Sequence, residues 1–232
     1  MFANCLTSLN KNIQLYGGKE LPLSDDFKKK ISLNNKFLIQ NFLWDVPGFR
    51  RWRVTSFDAG DNIQVLNSVA YPNYENDYPI MGIDLLWFAK SKKLVAILDF
   101  QPLIQTKEYL DFYCSDLQEL NTRHEKFCTS SMKNIYDSQK FFSPWVILCR
   151  GGKDQAEYLP KIFNDFISKY FNLNSNNIHN KFLNTEEVQR KQIDYDIYNS
   201  EKDPAYGLFV GFFGENWTNK FINHFLFPLN KN

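Results

Sequence analysis

Two short apolar segments joined by a polar turn occupy the middle of the chain. Residues 80–88 (IMGIDLLWF) and 94–100 (LVAILDF) flank a polar connection at 90–93 (KSKK). Apolar segments of this length, separated by a few turn residues, predict an antiparallel β-hairpin. The first segment is apolar at both its odd and its even positions. Both faces of this strand are therefore expected to be covered by other layers of the fold.

Asp84 is the only charged residue in the first of these segments. An unpaired carboxylate in such a strand is costly to bury, and buried carboxyl groups commonly take up a proton instead. The pattern therefore predicts that Asp84 is a carboxylic acid near neutral pH and can donate a proton. A structural aspartate tied to backbone amides is the alternative that the pattern leaves open.

Further periodic segments flank the hairpin. Alternating residues at 49–57 and 63–71 predict two more strands, and 143–149 predicts a buried strand that ends at a turn starting with Arg150. Strands joined by short turns indicate an antiparallel meander. Helical spacing of apolar residues, or a capping residue, predicts helices in five places: from Ser24 to before Pro47, over 107–127, over 158–171, from Thr185 to about 198, and after Gly214.

Helices before and after the meander are expected to cover both faces of its sheet. We therefore predict an α/β (α+β) fold, a three-layer α/β/α sandwich with a central antiparallel β-sheet and helices on both faces. The 232 residues are enough for one domain with a sizeable core, so residues 1–232 are expected to form a single domain.

Composition narrows the possible functions only slightly. The chain is 44% hydrophobic and 17% aromatic, and its 22 Phe residues either fill a core or line a pocket for a flat, conjugated ligand. The net charge of +1 predicts neither a nucleic acid nor an anionic membrane as partner. No signal peptide and no apolar run of about 20 residues is evident, so we expect a soluble cytoplasmic protein.

Familiar cofactor and metal motifs are absent from the sequence. The four cysteines form no C-x-x-C pair, and the three histidines are far apart, so no zinc or iron–sulfur site is expected. No glycine-rich nucleotide loop, nucleophile elbow or H-E-x-x-H helix is present. The chemistry must therefore come from polar residues on apolar faces.

The register of the hairpin decides whether Asp99 lies on the same face of the sheet as Asp84 or on the opposite face. If Phe88 pairs with Leu94, then Asp84 faces Leu98 and Asp99 lies on the opposite side of the sheet. A shift by one residue would bring both carboxyl groups to one face. We expect the first register, which makes Asp99 structural.

Asn67 and Asp203 are two further polar candidates. Asn67 lies in an apolar row of its strand, where it either makes a cross-strand hydrogen bond or contacts a ligand. Asp203 precedes a proline, which alone indicates an ordinary turn. Arg51, in the cluster 50–53, and Arg150 carry planar guanidinium groups that suit carboxylates, although an exposed edge strand with solvated charges also accounts for the cluster.

Seven short strings, in order along the chain, carry a resemblance to a known family. They are LWDVPGFRRWRV (43–54), NSVAYP (67–72), MGIDLLWF (81–88), LDFQP (98–102), CRGG (149–152), DPAYG (203–207) and FLFP (225–228). Together they resemble the ferredoxin-dependent bilin reductases over essentially the whole chain. The first string is similar to the branch of that family that forms 15,16-dihydrobiliverdin.

The resemblance implies a pigment-binding reductase without a bound metal, flavin or other cofactor. Biliverdin IXα would lie between the sheet and the C-terminal helices and accept single electrons from reduced ferredoxin, through bilin radicals. The expected reaction is a two-electron reduction of the 15,16 methine bridge, the first step of phycoerythrobilin biosynthesis. Asp84 matches the catalytic aspartate of the family's central strand and would donate the proton.

The resemblance also assigns expected roles to the other candidates. Asp203 matches the family's second functional aspartate. Asn67 stands where the phycocyanobilin-forming branch carries histidine, which favours the phycoerythrobilin pathway. For the pigment's propionates our own candidates are Arg150 and Arg51, because guanidinium groups suit carboxylates.

The resemblance implies partners as well, and it leaves alternatives open. Ferredoxin is acidic and would dock on a local Lys/Arg patch of a monomeric protein from an oxygenic phototroph or its virus. Transfer of the product to a next bilin reductase is left open. The alternatives are a sister reductase that makes phycoerythrobilin, from dihydrobiliverdin or directly from biliverdin, and a non-catalytic bilin-binding or chaperone protein.

Overall fold

An antiparallel sheet forms the middle layer of the structure. The computed structural model describes residues 1–128, 140–175 and 182–229 of the chain. In this part of the chain the sheet has eight strands: β1 (Lys19–Leu21), β2 (Lys29–Ile31), β3 (Leu38–Val46), β4 (Phe49–Asp58), β5 (Gln64–Pro72), β6 (Ile80–Phe88), β7 (Lys93–Gln101) and β8 (Ile147–Gly151). The strand order is β1-β3-β4-β5-β6-β7-β8, and β2 also pairs with β3. The predicted antiparallel meander is confirmed, although β8 begins four residues later than predicted and includes Arg150.

Helices lie on both faces of this sheet. They are α1 (Ala3–Leu15), α2 (Asp25–Lys28), α3 (Lys107–Tyr113), α4 (Ser115–Arg123), α5 (Lys153–Ser175), α6 (Thr185–Lys202), α7 (Tyr206–Phe213), α8 (Glu215–Lys220) and a π-helical segment (Phe221–Leu226). The helix predicted over 107–127 is present as two helices, α3 and α4, which meet at Cys114 and end at Arg123. The helices predicted over 158–171, from Thr185 and after Gly214 are confirmed. Among the described residues, no helix is both long enough and apolar enough to cross a membrane.

The first face of the sheet packs against α5. Trp52 on β4 stacks on Phe171 with ring centroids 5.2 Å apart, and Phe100 on β7 lies 5.2 Å from Phe166. Met81 and Ile83 of β6 are fully buried on the same face. Burying each side chain of this size contributes about 1.5–3 kcal/mol, so this layer supplies much of the core.

The second face packs against the C-terminal helices. Phe57 on β4 meets Phe212 of α7 edge-on at 5.1 Å, and Tyr71 on β5 meets Tyr195 of α6 edge-on at 5.8 Å. The central strand β6 is thus covered on both sides. The predicted three-layer α/β/α sandwich is confirmed.

The predicted helix from Ser24 to before Pro47 is wrong. Only its first turn is helical, as α2, and residues 38–46 form β3. Both edges of β3 are paired, to β1 and β2 on one side and to β4 on the other. These backbone pairings outweigh the local helix signal, since a short apolar run is compatible with either element. The prediction also missed α1, and the cap of α6 is Asn184 rather than Thr185.

The predicted hairpin register is wrong by one residue. Phe88 pairs with Lys93, and Asp84 pairs with Ile97. The loop between the strands has four residues and ends at Lys92, which has a positive φ of 51°. As a result Asp99, two residues after Ile97, shares the face of Asp84.

Candidate active site

A cavity lies between the second face of the sheet and the C-terminal helices. Its volume is about 340 Å³, which falls within the usual range of ligand pockets, about 300–1,000 Å³. Apolar side chains form most of the wall, among them Val65, Ile97 and Phe209. The polar lining is made by Arg53, Thr55, Asn67, Asp84, Gln101, Asn199, Lys202 and Asp203.

Sheet register brings Asp84 and Asn67 together on the floor of this cavity. The two residues are direct partners across β5 and β6, so their side chains rise from the same face. Asn67 Nδ2 donates a hydrogen bond to Asp84 Oδ1 at 3.1 Å. The amide of Asn67 therefore meets the carboxyl predicted to donate a proton.

Arg53 continues this polar row on β4. Its Nη1 donates to Asn67 Oδ1 at 2.6 Å, and its Nε donates to the carbonyl oxygen of Leu226 at 3.0 Å. The side chain is 2% exposed. Because the guanidinium group only donates, it fixes the Asn67 amide with Oδ1 toward Arg53 and Nδ2 toward Asp84.

The surroundings of Asp84 make it a weaker acid than an ordinary aspartate. The pKa of Asp84 is raised from 3.8 to about 6, chiefly by burial, and the nearby Asp203 contributes in the same direction. The Asn67 hydrogen bond and the charge of Arg53 act in the opposite direction. A carboxyl group with a pKa near the working pH both holds and releases a proton, which general acid catalysis requires.

Asp203 lines the opposite wall, at the C-terminal end of α6. Its Oδ1 accepts a hydrogen bond from the backbone N–H of Ala205 at 2.8 Å, the turn expected for Asp before Pro. Burial raises the pKa of Asp203 as well. Two carboxyl groups thus face the cavity from different layers of the fold.

Asp99 shares the face of Asp84 but does not line the cavity. It is fully buried, and its carboxylate accepts hydrogen bonds from the backbone N–H of Ser143 at 2.9 Å and from the Ser143 hydroxyl. Burial raises the pKa of Asp99 to about 7. These contacts attach the chain before β8 to β7, the strand next to that edge of the sheet.

The two predicted propionate ligands, Arg51 and Arg150, do not line the cavity. Arg51 is half-buried, and its Nη2 donates to the carbonyl oxygen of Phe225 at 2.7 Å, so it holds the π-helical segment. Burial lowers the pKa of Arg51 to about 10. Arg150 is exposed on β8, opposite Val95.

Sequence reasoning missed other residues that line the cavity. Arg53, Gln101 and Lys202 were not proposed as site residues. Arg53 appeared only as a member of the cluster 50–53, and it is the pairing of β4 with β5 that places it on the face of Asn67. Lys202 directly precedes Asp203 at the end of α6. Within the described parts of the chain, no group of three or more His, Cys, Asp or Glu residues is arranged to hold a metal ion.

Comparisons with known proteins agree with this architecture. The sequence model of the ferredoxin-dependent bilin reductases matches residues 6–228. A relative from Prochlorococcus marinus (strain NATL1A) is 53% identical over 231 residues, which cover 99% of this chain and 97% of the relative. A second one, from strain MIT 9312, is 51% identical and covers 99% and 98%. Both relatives are named 15,16-dihydrobiliverdin:ferredoxin oxidoreductase.

Solved structures show the same fold. Phytochromobilin synthase from tomato, in complex with biliverdin, superposes with a TM-score of 0.86 at 23% sequence identity, covering 100% of this chain and 84% of that one. PcyX has a TM-score of 0.60 at 16% identity, covering 97% and 94%. With the family match and the curated relatives, these likenesses lead to one conclusion. The chain belongs to the ferredoxin-dependent bilin reductase family, as the seven sequence strings predicted.

Proposed function

We propose that this chain reduces biliverdin IXα at its 15,16 methine bridge to 15,16-dihydrobiliverdin, the first step of phycoerythrobilin biosynthesis. The identity of about 50% to relatives named for 15,16-dihydrobiliverdin supports this branch of the family. The chemistry rests on one observation in particular. A carboxyl group with a raised pKa lies on the floor of a largely apolar cavity between sheet and helices.

The proposed reaction consumes two electrons and two protons for each biliverdin. Each reduced ferredoxin supplies one electron, so the pigment passes through a radical. Asp84 transfers its proton to the pigment after the first electron arrives, and the carboxylate then takes up another proton for the second step. Since desolvation favours the neutral acid, a pigment that excludes water from the cavity keeps Asp84 protonated until the transfer.

Asn67 positions the acid rather than acting as one. Its Oδ1 is bound by Arg53, and one of its amide hydrogens is donated to Asp84. The second amide hydrogen is left for a lactam oxygen of the pigment or for a relay water. An amide cannot release a proton in this pH range, so Asn67 has no role as proton donor.

Asp203 acts from the opposite wall in this proposal. It approaches the other side of the pigment, where it either supplies protons or positions a pyrrole ring. Its negative charge is one of the causes that raise the pKa of Asp84. Two acids with different surroundings therefore serve one pigment from its two sides.

The pigment's propionates need cations near the cavity. Lys202 lines the wall and takes the role expected of Arg51, whose guanidinium is committed to the Phe225 carbonyl. Arg150 is exposed on the same face of the sheet as the cavity-lining Ile97, since its partner Val95 precedes Ile97 by two residues. Arg150 would bind a propionate that extends out of the cavity.

Ferredoxin is the proposed electron donor, and it would bind a monomer of this chain in the cytoplasm of a phototroph or its virus. An acidic donor docks on a Lys/Arg patch, and such binding weakens as salt screens the charges. Direct transfer of dihydrobiliverdin to a next bilin reductase belongs to the same proposal.

One anaerobic assay separates this function from its alternatives. The protein is mixed with biliverdin and reduced ferredoxin, absorbance is followed, and products are separated by chromatography; ferredoxin is omitted in the control. We expect dihydrobiliverdin as the end product. Pigment binding without reduction would identify a bilin-binding or chaperone protein, and phycoerythrobilin as end product would identify a sister reductase.

A further inference from the structure

A glycine on the floor of the cavity makes room for a buried amide beside Asp84. Gly82 lies two residues before Asp84 on the same face of β6, and its φ is ordinary for any residue. A Cβ atom built on Gly82 would lie 2.7 Å from Cδ and Oε1 of Gln101 and 3.0 Å from its Nε2. The carboxamide of Gln101 therefore lies flat on the backbone of Gly82, where no larger side chain leaves space for it.

Tyr195 of α6 fixes the orientation of that amide. Its hydroxyl donates to Gln101 Oε1 at 2.7 Å, and burial raises the pKa of Tyr195, so the hydroxyl remains a donor. The ring is held edge-on between Tyr71 at 5.8 Å and Phe141 at 5.3 Å. Because Oε1 accepts from the tyrosine, the NH₂ end of Gln101 is the end left for another partner.

The NH₂ group of Gln101 has no acceptor among the described residues. The side chain lines the cavity although the residue is only 7% exposed. The NH₂ group therefore opens to the cavity, where it is available as a donor. A ligand atom in the cavity can accept its hydrogen bond.

Neighbouring charges limit the kind of acceptor. Gly82 pairs with Asp99 on β7, so Gln101 lies close to two carboxyl positions on the same face, Asp84 and Asp99. The cation Arg53 also acts on Tyr195, but its Nε and Nη1 are already donated to Leu226 and Asn67. An anionic ligand group placed between them would meet repulsion whenever either one ionises. A neutral oxygen avoids this repulsion and still accepts a hydrogen bond.

We propose that Gly82, Gln101 and Tyr195 form a subsite that binds a neutral carbonyl oxygen through Gln101 Nε2. The identity of that oxygen rests on the proposed function: in biliverdin it is the lactam oxygen of a terminal ring. Gly82, which lies under the Gln101 amide, precedes Asp84 by two residues in β6, and this spacing corresponds to about 7 Å along a strand. A lactam held at Gln101 therefore determines which part of the pigment meets Asp84, and thereby which methine bridge is reduced.

Binding of biliverdin to the free protein tests the subsite without any turnover. Gln101→Met keeps the size of the side chain but removes the donor, and Gly82→Ala displaces the amide from the floor. Each is expected to weaken binding by about tenfold, the factor for one neutral hydrogen bond. Tyr195→Phe leaves the donor present but unoriented, so its effect should be smaller. Gln118→Met, exposed on α4 in the other helical layer, is the matched control and should bind as wild type.

Infrared difference spectra of the bound pigment distinguish a hydrogen bond from a packing effect. In Gln101→Met, one of the two lactam C=O bands should move to higher wavenumber, because that carbonyl has lost a donor. Unchanged bands with unchanged affinity, in variants that fold as wild type, would overturn the subsite. Absence of biliverdin binding by the wild-type protein would instead overturn the proposed function.

Discussion

The buried carboxyl group of Asp84 should lower the free energy of unfolding of the protein near neutral pH, where its proton is used. The substitution Asp84→Asn keeps the shape of the side chain and the hydrogen bond from Asn67, but removes the titrating proton. Burial raises the pKa of Asp84 from 3.8 to about 6 in the folded protein. Removing this group should therefore stabilise the fold above that pH while abolishing proton donation.

The sign and size of the effect follow from linkage. A raised pKa means that the folded protein holds this proton more tightly than the unfolded chain does. As pH rises from about 4 to about 6, the unfolded chain loses the proton first and is favoured. A shift of about two pKa units corresponds to about 3 kcal/mol. Because the Asp84 side chain is half-buried and faces the cavity, we allow for solvent screening and expect a lower value of about 2 kcal/mol.

Denaturant unfolding of both proteins at several pH values measures this contribution. The stability of Asp84→Asn relative to wild type should rise by about 2 kcal/mol between pH 4 and pH 7.5 and then become constant. The same comparison for Asp99→Asn should become constant about one pH unit higher, since burial raises the pKa of Asp99 to about 7. A stability difference for Asp84→Asn that is independent of pH would refute the reasoning.

Three further predictions concern the neighbours of Asp84 and the partner protein. Arg53→Gln removes a charge that lowers the pKa of Asp84 and frees the amide of Asn67. The decline of the reduction rate at alkaline pH should therefore move to higher pH, and an unmoved rate profile would show that Arg53 acts only in packing. Lys202→Gln should weaken biliverdin binding severalfold in a fluorescence titration, and equal affinity would exclude Lys202 as a propionate partner. The KM for ferredoxin should rise steeply with salt while the affinity for biliverdin changes little; a salt-independent KM would argue against an electrostatic docking surface.

Local sequence patterns predicted the elements that carry the site. The β6–β7 hairpin and the covering of β6 on both faces follow from apolar runs that leave no polar face, and Asp84 is conspicuous there for the same reason. The apolar stripe of α5 likewise predicts a long helix against the sheet. In each case neighbouring residues along the chain carry the whole signal.

The features that the sequence did not predict depend on distant parts of the chain. Residues 38–46 form a strand because both of their edges are paired, and the hairpin register depends on a lysine with positive φ that has no distinctive turn signal. The cavity wall requires the end of α6 to lie over the sheet, which brings Asp203 and Lys202 opposite Asp84. Arg51 was expected at the pigment because guanidinium groups suit carboxylates, but the C-terminal segment supplies a nearer acceptor.

The central claim is that Asp84 gives its proton to a pigment that has just received an electron. Anaerobic reduction of bound biliverdin by ferredoxin, followed by absorbance and electron paramagnetic resonance in wild type and Asp84→Asn, tests it most directly. The variant should bind biliverdin, accept one electron and accumulate a bilin radical without forming dihydrobiliverdin. Formation of dihydrobiliverdin by Asp84→Asn at the wild-type rate would contradict the account.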